Sequence, residues 1–207
     1  MIDILKILAA LVAGYLLGSL NTAVIVGRLY GKDIREHGSK SAGLTNTLRV
    51  LGKSAAVLVL VGDILKGIVA CIIGLRLGVY VHSGQPAECV SLLAAGAGAV
   101  LGHNWPLYFG FKGGKGALTA AAVMFMIDWR MALTSLGLFV VLIAATRYVS
   151  LGTISASVFF VALSFLPAFE HTVYFHVFAA LIALVIIVKH WENIKRLLSG
   201  TENKLRF

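Results

Sequence analysis

Three short polar stretches in an otherwise apolar chain carry residue types that bind and activate phosphate. The first is GSKSAGLTNTLR at 38–49. Its glycines allow tight backbone curvature, so successive N–H groups can converge on an oxyanion. Ser39, Ser41, Thr45 and Asn46 add side-chain hydrogen bonds, and Arg49 adds a guanidinium fork that matches phosphate. Thr45 or Asn46 reads as a helix cap with Arg49 about one turn on, and a helix N-terminus favours anions. The plainer alternative is a solvated basic loop that only sets membrane topology.

The second stretch is GFKGGKG at 110–116, just after His103 and Asn104. Such a loop suits an anion better than it suits a membrane helix. It is not a nucleotide loop of the form G-x-x-x-x-G-K-[ST]. Gly110 is one residue too near, and Gly116 stands where a Ser or Thr would hold magnesium. An anion cradle with Lys115, shaped by Gly113, Gly114 and Gly116, and a flexible Gly-rich connection are the two readings left.

The third stretch is HWENIKR at 190–196. His190 and Asn193 are spaced i, i+3 and share a helix face. Trp191 suits the interfacial belt, and Lys195 and Arg196 on the other side suit anionic headgroups. A juxtamembrane basic helix without chemistry is the alternative. Ser150 adds a hydroxyl beside Arg147. Asp63 and Lys66 lie within an apolar run at i, i+3 and read first as a structural ion pair. Cys71 and Cys89 read as small packing residues. There is no HExxH, CxxC or acidic cluster, so no metal or cofactor is expected.

The elements that position these stretches must be membrane helices. The chain has 207 residues, 59% of them hydrophobic and 13% charged, with mean hydropathy +0.92. A soluble domain carries about 25% charged residues. The apolar runs are continuous rather than alternating, which argues against a β-barrel. The expected fold is an all-α polytopic membrane protein with seven transmembrane helices, at 4–26, 55–75, 89–107, 117–127, 131–146, 151–167 and 172–188. The fourth is short, and merging it with the fifth would bury Asp128 and Arg130. The first reads as a retained helix rather than a signal peptide.

Lys and Arg set the orientation. Arg28, Lys32, Arg35, Lys40, Arg49 and Lys53 follow the first span, Lys112 and Lys115 the third, and Arg147 the fifth. The tail holds Lys189, Lys195, Arg196, Lys204 and Arg206. With seven spans, these fourteen of the 18 basic residues share one side. The N-terminus is therefore expected outside and the C-terminus in the cytoplasm. The polar stretches then converge at the cytoplasmic face, where they favour a site for one or two phosphate groups.

These motifs, in this order, resemble the bacterial membrane acyl-phosphate:glycerol-3-phosphate acyltransferases, the PlsY family. The matching pieces are GSLNTAVIVGRLYGKDIREHGS, GLTNTLRVLGK, GDILKG, GHNWPLYFGFKGGKG, RYVSLGTIS and HWENIKRLLSGTENK, which together span nearly the whole chain as a single domain, 1–207. The chain also lacks the H-x-x-x-x-D signature of other glycerolipid acyltransferases. The resemblance implies transfer of a fatty acyl group from acyl phosphate to the 1-hydroxyl of glycerol 3-phosphate, giving lysophosphatidic acid and phosphate. It implies a monomer in the bacterial inner membrane, among membrane lipids, with no cofactor and no nucleic-acid partner. By matched position, Ser39, Gly43, Thr45 and Asn46 would cradle the acyl-phosphate head, with Ser150 a further contact. Arg49, Lys115, His190 and Asn193 would hold glycerol 3-phosphate and screen charge at the transition state, while Gly113, Gly114 and Gly116 shape the glycine loop. It further implies that a substrate phosphate oxygen takes the hydroxyl proton; His190 as general base is the rival.

One departure stands out. The family pattern is Gly-Ser-Gly-Asn-x-Gly, and this chain reads Gly38-Ser39-Lys40-Ser41-Ala42-Gly43. If the replaced glycine needs a positive φ, Lys40 adds strain. From a different class, a transporter of phosphorylated small molecules would show polar residues at mid-membrane in paired broken helices. Here only Asp63 and Lys66 lie deep.

Overall fold

The computed structural model describes residues 1–81 and 84–205, so His82 and Arg206 lie outside the described residues. Ten α-helices are present among them: α1 (Ile2–Gly18), α2 (Thr22–Leu29), α3 (Leu44–Leu51), α4 (Lys53–Leu77), α5 (Val90–Asn104), α6 (Ala117–Ile127), α7 (Trp129–Thr146), α8 (Val149–Ser164), α9 (Val173–Lys189) and α10 (Trp191–Leu198). Each expected apolar span contains an α-helix, although α5 and α8 end short of the expected limits, at Asn104 and Ser164. The first is broken at 19–21 into α1 and α2, where Asn21 turns its side-chain oxygen to accept from the Val24 N–H. α6 and α7 are separate, because Asp128 leaves the helical conformation at φ −144° and caps the Arg130 and Met131 N–H groups of α7.

Among the described residues three helical stretches are long and apolar enough to cross a membrane: Ile2–Leu29, Lys53–Leu77 and Trp129–Thr146. α9 and α10, bent by 62°, make a fourth if they count as one span. α6, at 11 residues, rises only about 17 Å.

The chain forms two compact units, residues 1–127 and 128–207. In the first, α5 is the central helix, and it packs through small residues. A Cβ on Gly14 or Gly18 of α1 would strike the Ala95 or Ala99 carbonyl of α5. A Cβ on Gly98 or Gly102 of α5 would strike the Leu11 or Tyr15 carbonyl of α1. Both pairs are spaced G-x-x-x-G, the pattern that lets membrane helices bring their backbones into contact. Gly74 of α4 meets Leu92 of α5 in the same way, and Ser91 Oγ donates to the Gly74 carbonyl at 2.7 Å. In the second unit α8 packs against α7 and α9, and Phe160 and Phe175 meet in its interior as a tilted pair with ring centroids 5.9 Å apart.

The first long loop is anchored by its apolar residues. Ile34 and Ala42 are fully buried in a cluster with Ala23, Val24 and Val26 of α2 and Ala55 and Val59 of α4. α3 opens earlier than expected: its cap is Gly43, in extended backbone, and no side chain caps it. Lys40 adopts φ +58°, in the left-handed region. A side chain there costs about 1–2 kcal/mol. The replaced family glycine thus left a strained position.

Gly98→Leu is expected to push α1 from α5, costing about 3 kcal/mol or more, and to lower the detergent Tm. Gly137→Leu on α7, where nothing lies within 4 Å, serves as the control and does not lower Tm. Lys40→Gly is expected to raise Tm slightly. The relieved strain exceeds the entropy that glycine adds to the unfolded chain, about 0.4–1 kcal/mol. A lowered Tm would contradict the strain.

Candidate active site

In the first unit the loop at 38–43 is shaped by Asn46 from within α3. Asn46 is 2% exposed. Its oxygen accepts from the Ser39 N–H at 2.8 Å, and its nitrogen donates to the carbonyls of Ile34 and His37 at 3.1 and 3.0 Å. Both ends of the amide are committed to backbone. Asn46 therefore builds the loop that presents Ser39, and its own amide is not turned outward as the sequence implied. Gly43 and Thr45 are half-buried at the start of α3, and Ser39 and Arg49 are exposed. Arg49 makes no ion pair among the described residues, so its guanidinium is available to an anion.

The glycine loop wraps the C-terminal end of α5. The Gly114 N–H donates to the His103 carbonyl at 3.1 Å. A Cβ on Gly113 would strike that same carbonyl, and one on Gly114 would strike both the His103 ring and the Ala42 carbonyl. Gly116 sits at φ +72°, with Asn104 Oδ1 2.8 Å from where a Cβ would stand. Gly113 and Gly114 are required by the close approach of the His103 and Ala42 carbonyls and the His103 ring, and Gly116 by its positive φ and the Asn104 side chain; the Gly114 N–H is spent on protein. Lys115 is half-buried between them.

The two loops touch. Arg35 Nη1 donates to the Phe109 carbonyl at 2.9 Å and the Lys112 carbonyl at 3.4 Å, while its other nitrogens hold Asp33. Hydrogen bonds from Arg35 bring the Asp33 carboxyl down to about 2. The Arg28 guanidinium lies 5.2 Å from the centre of the Phe109 ring. A network inside the helices lies beneath them. Lys66 Nζ is 2.8 Å from Asp63 Oδ1 and 2.9 Å from His103 Nδ1, and it reaches the Leu20 carbonyl at 3.4 Å. All three side chains are nearly fully buried. The expected Asp63–Lys66 pair is present, with His103 as its third member.

In the second unit His190 sits at the bend between α9 and α10 and is 4% exposed. Its Nδ1 lies 2.8 Å from the Ile186 carbonyl. A carbonyl only accepts, so Nδ1 carries a proton and Nε2 holds the lone pair of the neutral ring. Asn193, one turn on, is also buried. Its nitrogen donates to Glu202 Oε1 at 2.6 Å, as does the Ser150 hydroxyl at 2.8 Å, and Arg196 Nε donates to Glu202 Oε2 at 2.7 Å. Burial would push the Glu202 carboxyl up, but the hydrogen bonds from Asn193, Arg196 and Ser150 outweigh it and hold it below the usual range.

Glu202 is thus the organiser of Asn193 and Ser150, and the sequence reading passed over it. Its one signal was an acidic residue in a basic tail. Arg196 is turned to this carboxylate rather than to headgroups, whereas Lys195 pairs with exposed Glu192 at 3.0 Å. The tail is further held by the Leu205 N–H donating to the Arg147 carbonyl and by Lys204 over the Tyr148 ring.

A glycerol-3-phosphate acyltransferase family profile matches residues 8–200. A relative of that name from Thermoanaerobacter pseudethanolicus is 42% identical over 200 residues, 96% of this chain and 95% of its own. Another from Shouchella clausii is 40% identical over 205 residues, 98% and 97% of the two chains. A crystal structure of PlsY, an integral membrane glycerol 3-phosphate acyltransferase in its glycerol 3-phosphate form, superposes with TM-score 0.87 at 36% identity, covering 97% of this chain and 96% of that one. Its lysophosphatidic acid form gives TM-score 0.84, covering 97% and 95%. The fold is that of an all-α integral membrane protein, and the chain belongs to the glycerol-3-phosphate acyltransferase family.

Proposed function

We propose that the protein transfers a fatty acyl group from acyl phosphate to the 1-hydroxyl of glycerol 3-phosphate at the cytoplasmic face of a bacterial inner membrane. It is a membrane glycerol-3-phosphate acyltransferase that forms lysophosphatidic acid. The observation that carries the phosphate reading is the pair of basic loops folded against each other in the first unit, with Arg49 unpaired and Lys115 held by the glycine wrap. The basic residues gathered in alternate loops support seven spans, with the N-terminus outside.

The reaction forms the bond between the hydroxyl oxygen and the acyl carbon, and it breaks the bond between that carbon and the phosphate oxygen. Phosphate leaves with the acyl-carbon bonding pair and takes the hydroxyl proton, so atoms and charge balance without a covalent acyl-enzyme. Two anions must be held close together, which calls for fixed cations and orientation more than for a nucleophile. Arg49 and Lys115 supply the cations. Ser39 and Thr45 supply hydroxyls at the presented loop, and the family resemblance adds His190, Asn193 and Ser150 as substrate contacts. A second reading, with His190 as general base, is favoured by the Nδ1 contact to Ile186, which leaves Nε2 as an acceptor.

Purified protein is expected to make lysophosphatidic acid from acyl phosphate and glycerol 3-phosphate without metal or coenzyme A. Activity with acyl-CoA but not with acyl phosphate would sink the donor assignment. Lys115→Ala and Arg49→Ala should each lower kcat/KM by about 100-fold or more with the detergent Tm unchanged. Under substrate assistance, His190→Gln scales the kcat/KM–pH profile down without altering its shape; if His190 is the base, one ionisation disappears from it.

Glu202→Gln is expected to loosen Asn193 and Ser150, cutting turnover and lowering Tm together. Because the folded-state Glu202 value is depressed, its stabilisation is present above the ordinary glutamate range and is lost as pH falls through the lowered value. The difference in Tm between wild type and Glu202→Gln should therefore shrink on acidification. A constant difference across that range would contradict the role.

A further inference from the structure

The network of Asp63, Lys66 and His103 lies directly against the glycine loop. The Asp63 carboxylate 2.8 Å away favours the ammonium form of Lys66, and an ammonium has donors only. Its 2.9 Å contact to His103 Nδ1 therefore requires a lone pair on Nδ1. The His103 contact to Asp63 is longer, at 3.5 Å, so the lysine contact decides the tautomer. The ring proton then sits on Nε2. That nitrogen is the ring atom that a Cβ on Gly114 would meet, beside the Ala42 carbonyl.

We propose that His103 is a positioning residue for acyl transfer: Asp63 and Lys66 fix it with its proton on Nε2, and that N–H lies under Gly114 and seats the glycine loop against the loop that carries Ser39. The inference rests on the reading of Lys115 as a substrate-phosphate cation. The His103 carbonyl accepts from Gly114, and its ring abuts the same glycine, so one residue fixes both the height and the tilt of the loop. Lys115 follows Gly114 immediately, and a tilt of that peptide redirects its side chain. The network also closes a gap in the helix ladder, since Lys66 and Asn21 reach the Leu20 and His103 carbonyls at the α1–α2 break. The paired charges thus end, through the His103 ring, against the glycine loop instead of standing as an isolated ion pair.

The test uses the two amide replacements of histidine. Glutamine places its amide nitrogen near the position of Nε2, while asparagine stops at the level of Nδ1. His103→Gln is expected to keep kcat within about threefold of wild type, and His103→Asn to lose about tenfold or more, because only Gln returns a donor to the loop. Both are expected to elute as folded protein in detergent. Equal rates for Gln and Asn in folded protein would overturn the proposal. Nitrogen-15 NMR of imidazole-labelled wild type, with His103 assigned by its loss in His103→Gln or by selective labelling, reads the tautomer without relying on either variant's activity. Protonated Nε2 with bare Nδ1 supports the proposal; protonated Nδ1 overturns it, even if neither variant folds. Lys115→Ala is run alongside. Full turnover in that variant would refute the site reading itself, whereas its loss together with equal Gln and Asn rates would refute only the His103 inference.

Discussion

The backbone contact between α1 and α5 is the constraint on which the first unit depends. Lipid offers no hydrophobic drive for two apolar helices to meet, so close dispersion contact has to hold them. Gly14 and Gly18 on one helix and Gly98 and Gly102 on the other let the two backbones approach directly at the crossing. The crossing brings the α1–α2 break beside the end of α5. There Asn21 donates to the His103 carbonyl, the Tyr15 hydroxyl to the Trp105 carbonyl and the Leu107 N–H to the Ser19 hydroxyl. The broken helix and the ending helix satisfy each other's orphan polar groups.

That junction is the floor on which the loop at 38–43 and the glycine loop lie. His103 offers its carbonyl upward to Gly114 and its ring sideways to Lys66. The glycine loop follows the end of α5 so closely that its glycines are explained by the protein alone. Asn46 makes the same point: its amide is spent on the Ser39, Ile34 and His37 backbone. Two residue types read as ligands are here builders of the surface that carries the ligands.

The second unit applies the same economy with a carboxylate. Glu202 gathers Asn193, Ser150 and Arg196, so three residues from two segments are ordered by one charge. Charge-assisted bonds of this kind are about twice as strong as neutral ones. Each donor satisfies an acceptor that burial would otherwise leave exposed to an apolar surround. The chain's return to Arg147 and Tyr148 is short and polar, and no apolar packing pattern marks it.

Sequence alone determined the helical membrane class, the positions of the apolar helices and the phosphate chemistry. Long apolar runs have one economical conformation in lipid, and phosphate is bound by few side-chain types. The break at Asp128 was legible too, because a charged residue there disfavours a continuous buried helix. Tertiary structure decided the rest. The pairing of Gly14 and Gly18 with Gly98 and Gly102 joins residues some 80 positions apart, and nothing local fixes which small residues will face one another. The division of labour between Asn46 and Ser39, the joining of His103 to Asp63 and Lys66, and the recruitment of Glu202 depend on which polar groups burial strands together. A buried donor bonds to whatever acceptor the packing places within 3 Å, and that proximity is a property of the fold rather than of spacing along the chain.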